Sequence, residues 1–232
     1  TGGRSSGART IEVIENHIPS GYPTDVGAVL LIEVEGLPDG VEIETLRICE
    51  VAENHEALEI RIAQSSWQRE ALWKGRKGAF GASTYLAPNY YLHDTVVPRS
   101  ELANVLDKVN QLAAENDLML MNVFHAGDGN LHPLIVFDAE EEGTIERVHS
   151  VAAEIVKISI EAGGVLSGEH GIGIEKQEFM SELFTDEDLS HQNKLRYAFD
   201  PQCRINPGKI LPTGHSCADI QTLHKPPEGI WV

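Results

Sequence analysis

Apolar residues recur along this 232-residue chain at two spacings, and each spacing predicts a different kind of element. Residues 26–35 form an apolar run that ends in alternation (Ile32-Glu33-Val34-Glu35) and predict the first strand. A turn at 36–40, which holds Gly36, Pro38 and Gly40, leads into an acidic amphipathic helix through about Glu53. Alternation returns over 58–63 as a second strand. A polar helical stretch follows over 66–77, with Ser65 or Ser66 as its N-cap, and residues 90–98 begin another extended segment.

From Glu101 the apolar residues Leu102, Val105, Leu106, Val109, Leu112 and Ala113 keep the helical period, and the helix runs out into 115–117. The runs 118–124 and 131–137 flank His-Ala-Gly-Asp-Gly-Asn, which is turn chemistry, so a β-hairpin is predicted there. Ile145, Val148, Ala152 and Ile155 mark a second long amphipathic helix that Gly163 and Gly164 should end. A glycine-rich loop over 163–173 and a helical tail over 177–199 complete the chain's patterned part. Two rounds of strand and helix imply an α+β fold. The sheet is expected to be largely antiparallel and covered on one face by helices, in ferredoxin-like duplicated strand–helix units with a C-terminal helical tail.

Length and a 41% hydrophobic content suit one substantial domain, expected over 11–213, with a flexible Gly/Ser-rich end at 1–10 and a C-terminal tail at 214–232. The 36 acidic and 18 basic residues give a formal charge of -18, which repels polyanions and argues against nucleic acid as a partner. A small carboxylate would be repelled at long range too, so its site needs a local cation or a metal. Cys49, Cys203 and Cys217 are odd in number and lack a CxxC spacing, against a disulfide framework or an iron–sulfur site held by this chain alone. A reducing, cytoplasmic setting fits. The longest apolar runs fall short of the roughly 20 residues of a membrane helix.

Two constellations carry chemistry. His125 and His132 flank a tight turn in which Gly127 and Gly129 allow positive φ, and cross-strand neighbours lie close enough for two imidazoles to share an ion. Asp128 and Asn130 between them could serve the turn or support the ligands. The same spacing also fits two ordinary turn histidines. The second constellation is the loop 163–173, with five glycines in eleven residues around Glu169 and His170. Such backbone bends tightly and can approach a flat ligand, although a solvent-exposed glycine loop reads alike. The glycines do not make GxGxxG, so a dinucleotide fingerprint is excluded.

Three segments, His-Ala-Gly-Asp-Gly-Asn-Leu-His at 125–132, Ser-Gly-Glu-His-Gly-Ile-Gly at 167–173 and Asp-Pro-Gln-Cys-Arg-Ile-Asn-Pro-Gly-Lys at 200–209, stand in one order. Together they resemble the C-terminal domain of FAD-linked oxidases, within the vanillyl-alcohol oxidase-like flavoproteins. Leu-Trp-Lys-Gly-Arg-Lys-Gly-Ala-Phe at 72–80 and Pro-Asn-Tyr-Tyr-Leu-His-Asp at 88–94 look like the glycolate oxidase D-subunit and D-lactate dehydrogenase branch. The resemblance covers nearly all of 11–211. It implies an N-terminal FAD-binding domain, absent from this chain, without which the chain is expected to be inactive.

By resemblance, His125, His132 and Glu169 match ligands of a divalent metal, for which two imidazoles and a carboxylate with an open position suit Zn²⁺ or a similar ion. His170 matches the general base, a role an imidazole fills because it titrates near neutrality. Arg76 matches the position that holds the substrate carboxylate, although with Lys74 and Lys77 it also reads as a solvated helix face. Tyr91 is a further pocket candidate, or a core tyrosine. Asn206 and Lys209 match a closing motif near the flavin, where Pro-Gly is equally an ordinary turn. Some relatives acting on longer acids carry lysine where Leu92 stands, which makes a dicarboxylate substrate the weaker expectation.

The resemblance therefore implies oxidation of a small 2-hydroxy acid such as glycolate or D-lactate to the 2-oxo acid, with FAD as hydride acceptor. Electron-accepting partner subunits and a peripheral place at the inner membrane through them are part of that expectation. Two other readings use the same residues: a zinc hydrolase, which no HExxH helix supports, and a non-catalytic metal-binding assembly module.

Overall fold

Seven helices account for most of the regular structure in the computed structural model, which describes residues 6–212. Local chemistry sets several of their ends. The helix Ser66–Ala82 (α3) starts where the Ser65 hydroxyl accepts from the Gln68 N–H at 3.4 Å. The helix Asp186–Phe199 (α7) starts at a reciprocal capping box between Thr185 and Asp188. The helix Thr144–Glu161 (α5) runs into Gly163, whose φ of +82° needs a residue without Cβ.

The described residues fall into two compact units. The first holds the residues up to Tyr90 together with Met119–Val123 and Leu134–Glu140. Its first helix, Ser6–His17 (α1), buries Ile11, Val13 and Ile14 against Tyr22, Ala79, Ala82 and Val123. A three-stranded sheet places Pro133–Phe137 (β5) between Asn89–Leu92 (β1) and Met119–Asn122 (β3). Within the end expected to be flexible over 1–10, residues 6–10 form the start of α1. Residues 1–5 lie outside the described residues, as do the tail at 214–232 and Cys217.

Two predicted strands do not form. Residues 26–35 are bend and irregular backbone, and 58–63 are irregular with one bend at Leu58. Alternation dictates which way side chains face, but a strand also needs a partner for its backbone, and neither segment joins a ladder. Both instead line an apolar cavity of about 690 Å³ with the helix Pro38–Asn54 (α2). No residue of α2 is buried. The fold is α+β, as predicted, but the first of the two expected strand–helix rounds is present as its helices only.

The second unit holds Tyr91–Leu118, Phe124–Pro133 and the residues from Glu141 on. The helix Leu102–Glu115 (α4) buries Val105, Val109 and Ala113, and packs on α5, which buries Val148, Val151, Ala152 and Ile155. Val156, Leu166, Met180, Leu189 and Leu211 form a second cluster, which ties the helix Met180–Leu183 (α6) and α7 to α5. Thr95–Val96 (β2) pairs antiparallel with Asn130–Leu131 (β4), Thr95 opposite Leu131 and Val96 opposite Asn130.

The predicted hairpin turn is closed by His125 and Asn130, which exchange N–H···O bonds of 2.9 and 3.2 Å. Gly129 makes it possible: its φ is +70°, and a Cβ there would lie 2.1 Å from the Val97 carbonyl oxygen. Gly129→Ala is expected to cost at least about 1–3 kcal/mol in backbone strain and to lower the thermal midpoint by several degrees. A melting curve superimposable on that of the unaltered protein would dismiss this steric account.

Candidate active site

The hairpin and the glycine loop bring four predicted residues together within the second unit. His125 leaves the turn at one end, and His132 follows β4 at the other, so the two rings meet edge to face with centroids 5.5 Å apart. Glu169 completes the group. His125 Nε2 lies 3.5 Å from Glu169 Oε1, and His132 Nε2 lies 3.6 Å from Glu169 Oε2. One ligand atom from each residue fits within 4.8 Å of the others.

These separations fit a shared ion. With bonds of about 2.0–2.1 Å, the edge of a tetrahedral coordination shell is roughly 3.3 Å, close to each of the two gaps, which end on different oxygens of Glu169. His132 is 2% exposed, and its Nδ1 lies 3.1 Å from the His93 carbonyl oxygen, which directs Nε2 towards the glutamate. Burial pulls the His132 pKa down, which favours the neutral ring that coordinates metals, against opposing contributions from the His93 carbonyl and Glu169. His125 and Glu169 are about half exposed, so the group opens to solvent on their side.

His170 stacks nearly parallel on His132, with ring centroids 5.3 Å apart and planes 14° from parallel. It also lines a cavity of about 300 Å³ with Leu92, residues 171–176 and Lys209. The closing motif is tied to this cavity by the Ile210 N–H, which donates to the Gly173 carbonyl at 2.7 Å. Asn206 takes a positive φ of +45°, and its carbonyl accepts from Arg196 at 2.8 Å. Tyr91 packs against His93 and His149, with centroids 5.3 and 5.9 Å away. Burial, and then the neighbouring Glu175 carboxylate, raise its phenol pKa. Arg76 belongs to the first unit, on α3. There its guanidinium carbon lies 5.8 Å from the Phe80 ring centroid, and its backbone N–H donates to the Tyr22 hydroxyl at 3.1 Å.

Residues 5–210 match the family described as FAD linked oxidases, C-terminal domain. The chain belongs to that family.

This FAD-linked oxidase C-terminal domain is 40% identical over 215 residues to the glycolate oxidase subunit GlcD of Escherichia coli, an alignment covering 93% of the chain and 43% of the relative. It is 38% identical over 202 residues to GlcD of Bacillus subtilis, covering 87% of the chain and 43% of the relative. It is 30% identical over 189 residues to the mitochondrial D-lactate dehydrogenase [cytochrome] of Kluyveromyces lactis, covering 78% of the chain and 32% of the relative. The chain thus spans less than half the length of each. Among the described residues, no helix is long and apolar enough to cross a membrane.

Sequence reasoning overlooked Asp94. Its side chain is fully buried and accepts hydrogen bonds from the Ser167 hydroxyl and from the backbone N–H groups of Gly168, Glu169 and His170. Burial alone would raise its pKa, but Ser167, the His170 N–H and the nearby Lys176 ammonium together hold the carboxyl well below the usual range. The available signal was a single acid inside the extended segment 90–98, where a buried charge requires a partner.

Proposed function

We propose that this chain is the substrate- and metal-binding part of a flavin-dependent 2-hydroxy-acid dehydrogenase that oxidises a small acid of the glycolate or D-lactate kind. The observation that carries the reading is the convergence of His125, His132 and Glu169 on one point, with His170 stacked beside them, in a chain of this family. The relatives, a glycolate oxidase subunit and a D-lactate dehydrogenase, supply the substrate class.

His125, His132 and Glu169 would hold the ion, and their open side would leave room for a hydroxyl and a carboxylate oxygen of one substrate. A bound Zn²⁺ or similar ion would supply Lewis acidity at that hydroxyl. FAD, held mainly by a further domain, would accept the hydride from the substrate Cα. His170 accepts the hydroxyl proton at an imidazole nitrogen as the carbonyl forms, so that two electrons and both hydrogens are accounted for. The family resemblance would give Arg76 the role of neutralising the acid through a bidentate contact, and Asn206 and Lys209 that of closing the cavity towards the cofactor. Electron-accepting partner subunits in a cytoplasmic complex, at the membrane face through those partners, complete the reading.

The test is anaerobic reduction of the flavin in the full-length protein. Glycolate or D-lactate should bleach the flavin absorbance in the unaltered enzyme, and the absence of bleaching with either acid would end the proposal. In Arg76→Met, the loss of a charge-assisted pair of about 2–5 kcal/mol should appear in the concentration dependence, as a KM raised at least about 30-fold. An unchanged KM would take Arg76 out of the site.

A further inference from the structure

Glu169 and His170 sit in the most glycine-rich stretch of the chain, and a loop of that composition does not hold two side chains in register unaided. What fixes it lies on the segment 93–97. The Val96 N–H donates to the Val165 carbonyl at 3.2 Å, the Val165 N–H donates back at 2.8 Å, and the Val97 N–H donates to the Gly129 carbonyl at 3.0 Å. That segment therefore touches both the loop and the hairpin. The loop approaches it closely, since a Cβ on Gly168 would lie 2.6 Å from Val96 Cγ2 and 2.8 Å from the Asn130 side chain.

At the end of the segment nearest the site, two consecutive residues each hold one half of the constellation. The His93 carbonyl faces His132 Nδ1. The Asp94 carboxylate takes the N–H of Gly168 at 3.2 Å, that of Glu169 at 3.2 and 3.3 Å, and that of His170 at 2.9 Å, so three successive amides point into one anion. Ser167 extends the grip, for its hydroxyl bonds to Asp94 and accepts the Gly171 N–H at 2.7 Å. Lys176 closes the far side, with its ammonium on the Asp94 carbonyl and 3.4 Å from the carboxylate.

We propose that Asp94 is a positioning residue: its buried carboxylate gathers the backbone of 167–170 and thereby delivers Glu169 to the metal ligands and His170 to the substrate. This rests on the functional reading above for the roles of Glu169 and His170. The competing account makes Asp94 only half of a buried ion pair with Lys176, and the two accounts separate by experiment. Asp94→Asn keeps the size but presents an amide N–H₂ to the loop amides, whereas Lys176→Met breaks the ion pair and leaves the amide cradle intact.

Full-length protein is compared by two readouts: Co²⁺ binding followed by its d–d absorption, and amide hydrogen exchange of residues 167–171 in metal-free protein. Asp94→Asn should weaken Co²⁺ binding about 10–100-fold and alter the band, as loss of a supporting partner does, and speed exchange in the loop about tenfold or more. Lys176→Met should lower the melting midpoint while leaving both readouts near those of the unaltered protein. If Asp94→Asn does not fold, Ser167→Ala should move both readouts in the same direction by a smaller factor.

Equal effects of the Asp94 and Lys176 substitutions, or an undisturbed loop in Asp94→Asn, would overturn the proposal; so would undisturbed readouts in Ser167→Ala where Asp94→Asn does not fold. Should the unaltered protein bind Co²⁺ no better than His125→Ala, the metal reading fails by itself, and loop exchange then decides the role of Asp94.

Discussion

His170→Ala in the full-length flavoprotein is expected to retain its FAD and to lose substrate-driven flavin reduction by about 10²–10⁴-fold, the usual contribution of a positioned acid–base group. The geometry gives the reason. His170 has no partner role in the core: it is exposed, it lies against one face of His132, and it lines a cavity wide enough for a small acid. Its backbone is held by Asp94 whatever the side chain, so the substitution removes the imidazole without releasing the loop.

The comparison must separate chemistry from collapse. FAD content, far-ultraviolet circular dichroism and reduction by dithionite should match the unaltered protein, and the rate with saturating glycolate or D-lactate should fall. A variant that bleaches within a few-fold of the unaltered rate would remove His170 from the reaction while leaving the proposed metal ligands untouched.

How far the sequence reveals such a site depends on how local each contact is. His125 and His132 belong to one turn, and Glu169 and His170 are neighbours in the chain, so each half is legible from spacing and glycine placement. The meeting of the halves is not. It depends on β2 pairing with β4 and on the Val96–Val165 bridge, contacts made across tens of residues that no periodicity encodes. The order of three motifs supplied that link through family resemblance.

The same distinction explains the fold. Helices α3 and α7 carry side-chain caps at their N-termini and α4 and α5 carry apolar stripes, and the sequence marks each of them. Residues 26–35 and 58–63 carry the stripe of a strand without a partner strand, and in the described residues they line a cavity instead of joining a sheet. Asp94 was illegible for a related reason. A buried carboxylate is interpretable only through what donates to it, and every one of its partners lies more than seventy residues away along the chain.

The two histidines of the proposed metal site should fail differently when replaced. His125→Ala and His132→Ala are both expected to lose the bound metal and, with it, flavin reduction, by a factor at least as large as the 10–100-fold typical of changing a supporting partner. Stability should divide them. His125 has 45% of its side chain exposed, so its removal costs the fold little, whereas His132 has 3% exposed and faces the His93 carbonyl. Removing a buried, hydrogen-bonded ring leaves that carbonyl without its partner and a cavity in its place, a cost of about 1–3 kcal/mol for the lost bond alone.

Metal analysis of unsupplemented protein, thermal melting with and without a chelator, and add-back of Zn²⁺ distinguish the cases. Chelation should lower the midpoint of the unaltered protein towards that of His125→Ala, because an ion that binds only the folded state stabilises it by mass action. In His125→Ala the chelator should have no further effect. His132→Ala should melt below both, and Zn²⁺ should restore flavin reduction to the chelated unaltered protein alone. Equal melting of the two variants would mean that His132 is not the buried anchor its surroundings indicate, and full activity in chelated protein would leave the three ligands without a catalytic ion to hold.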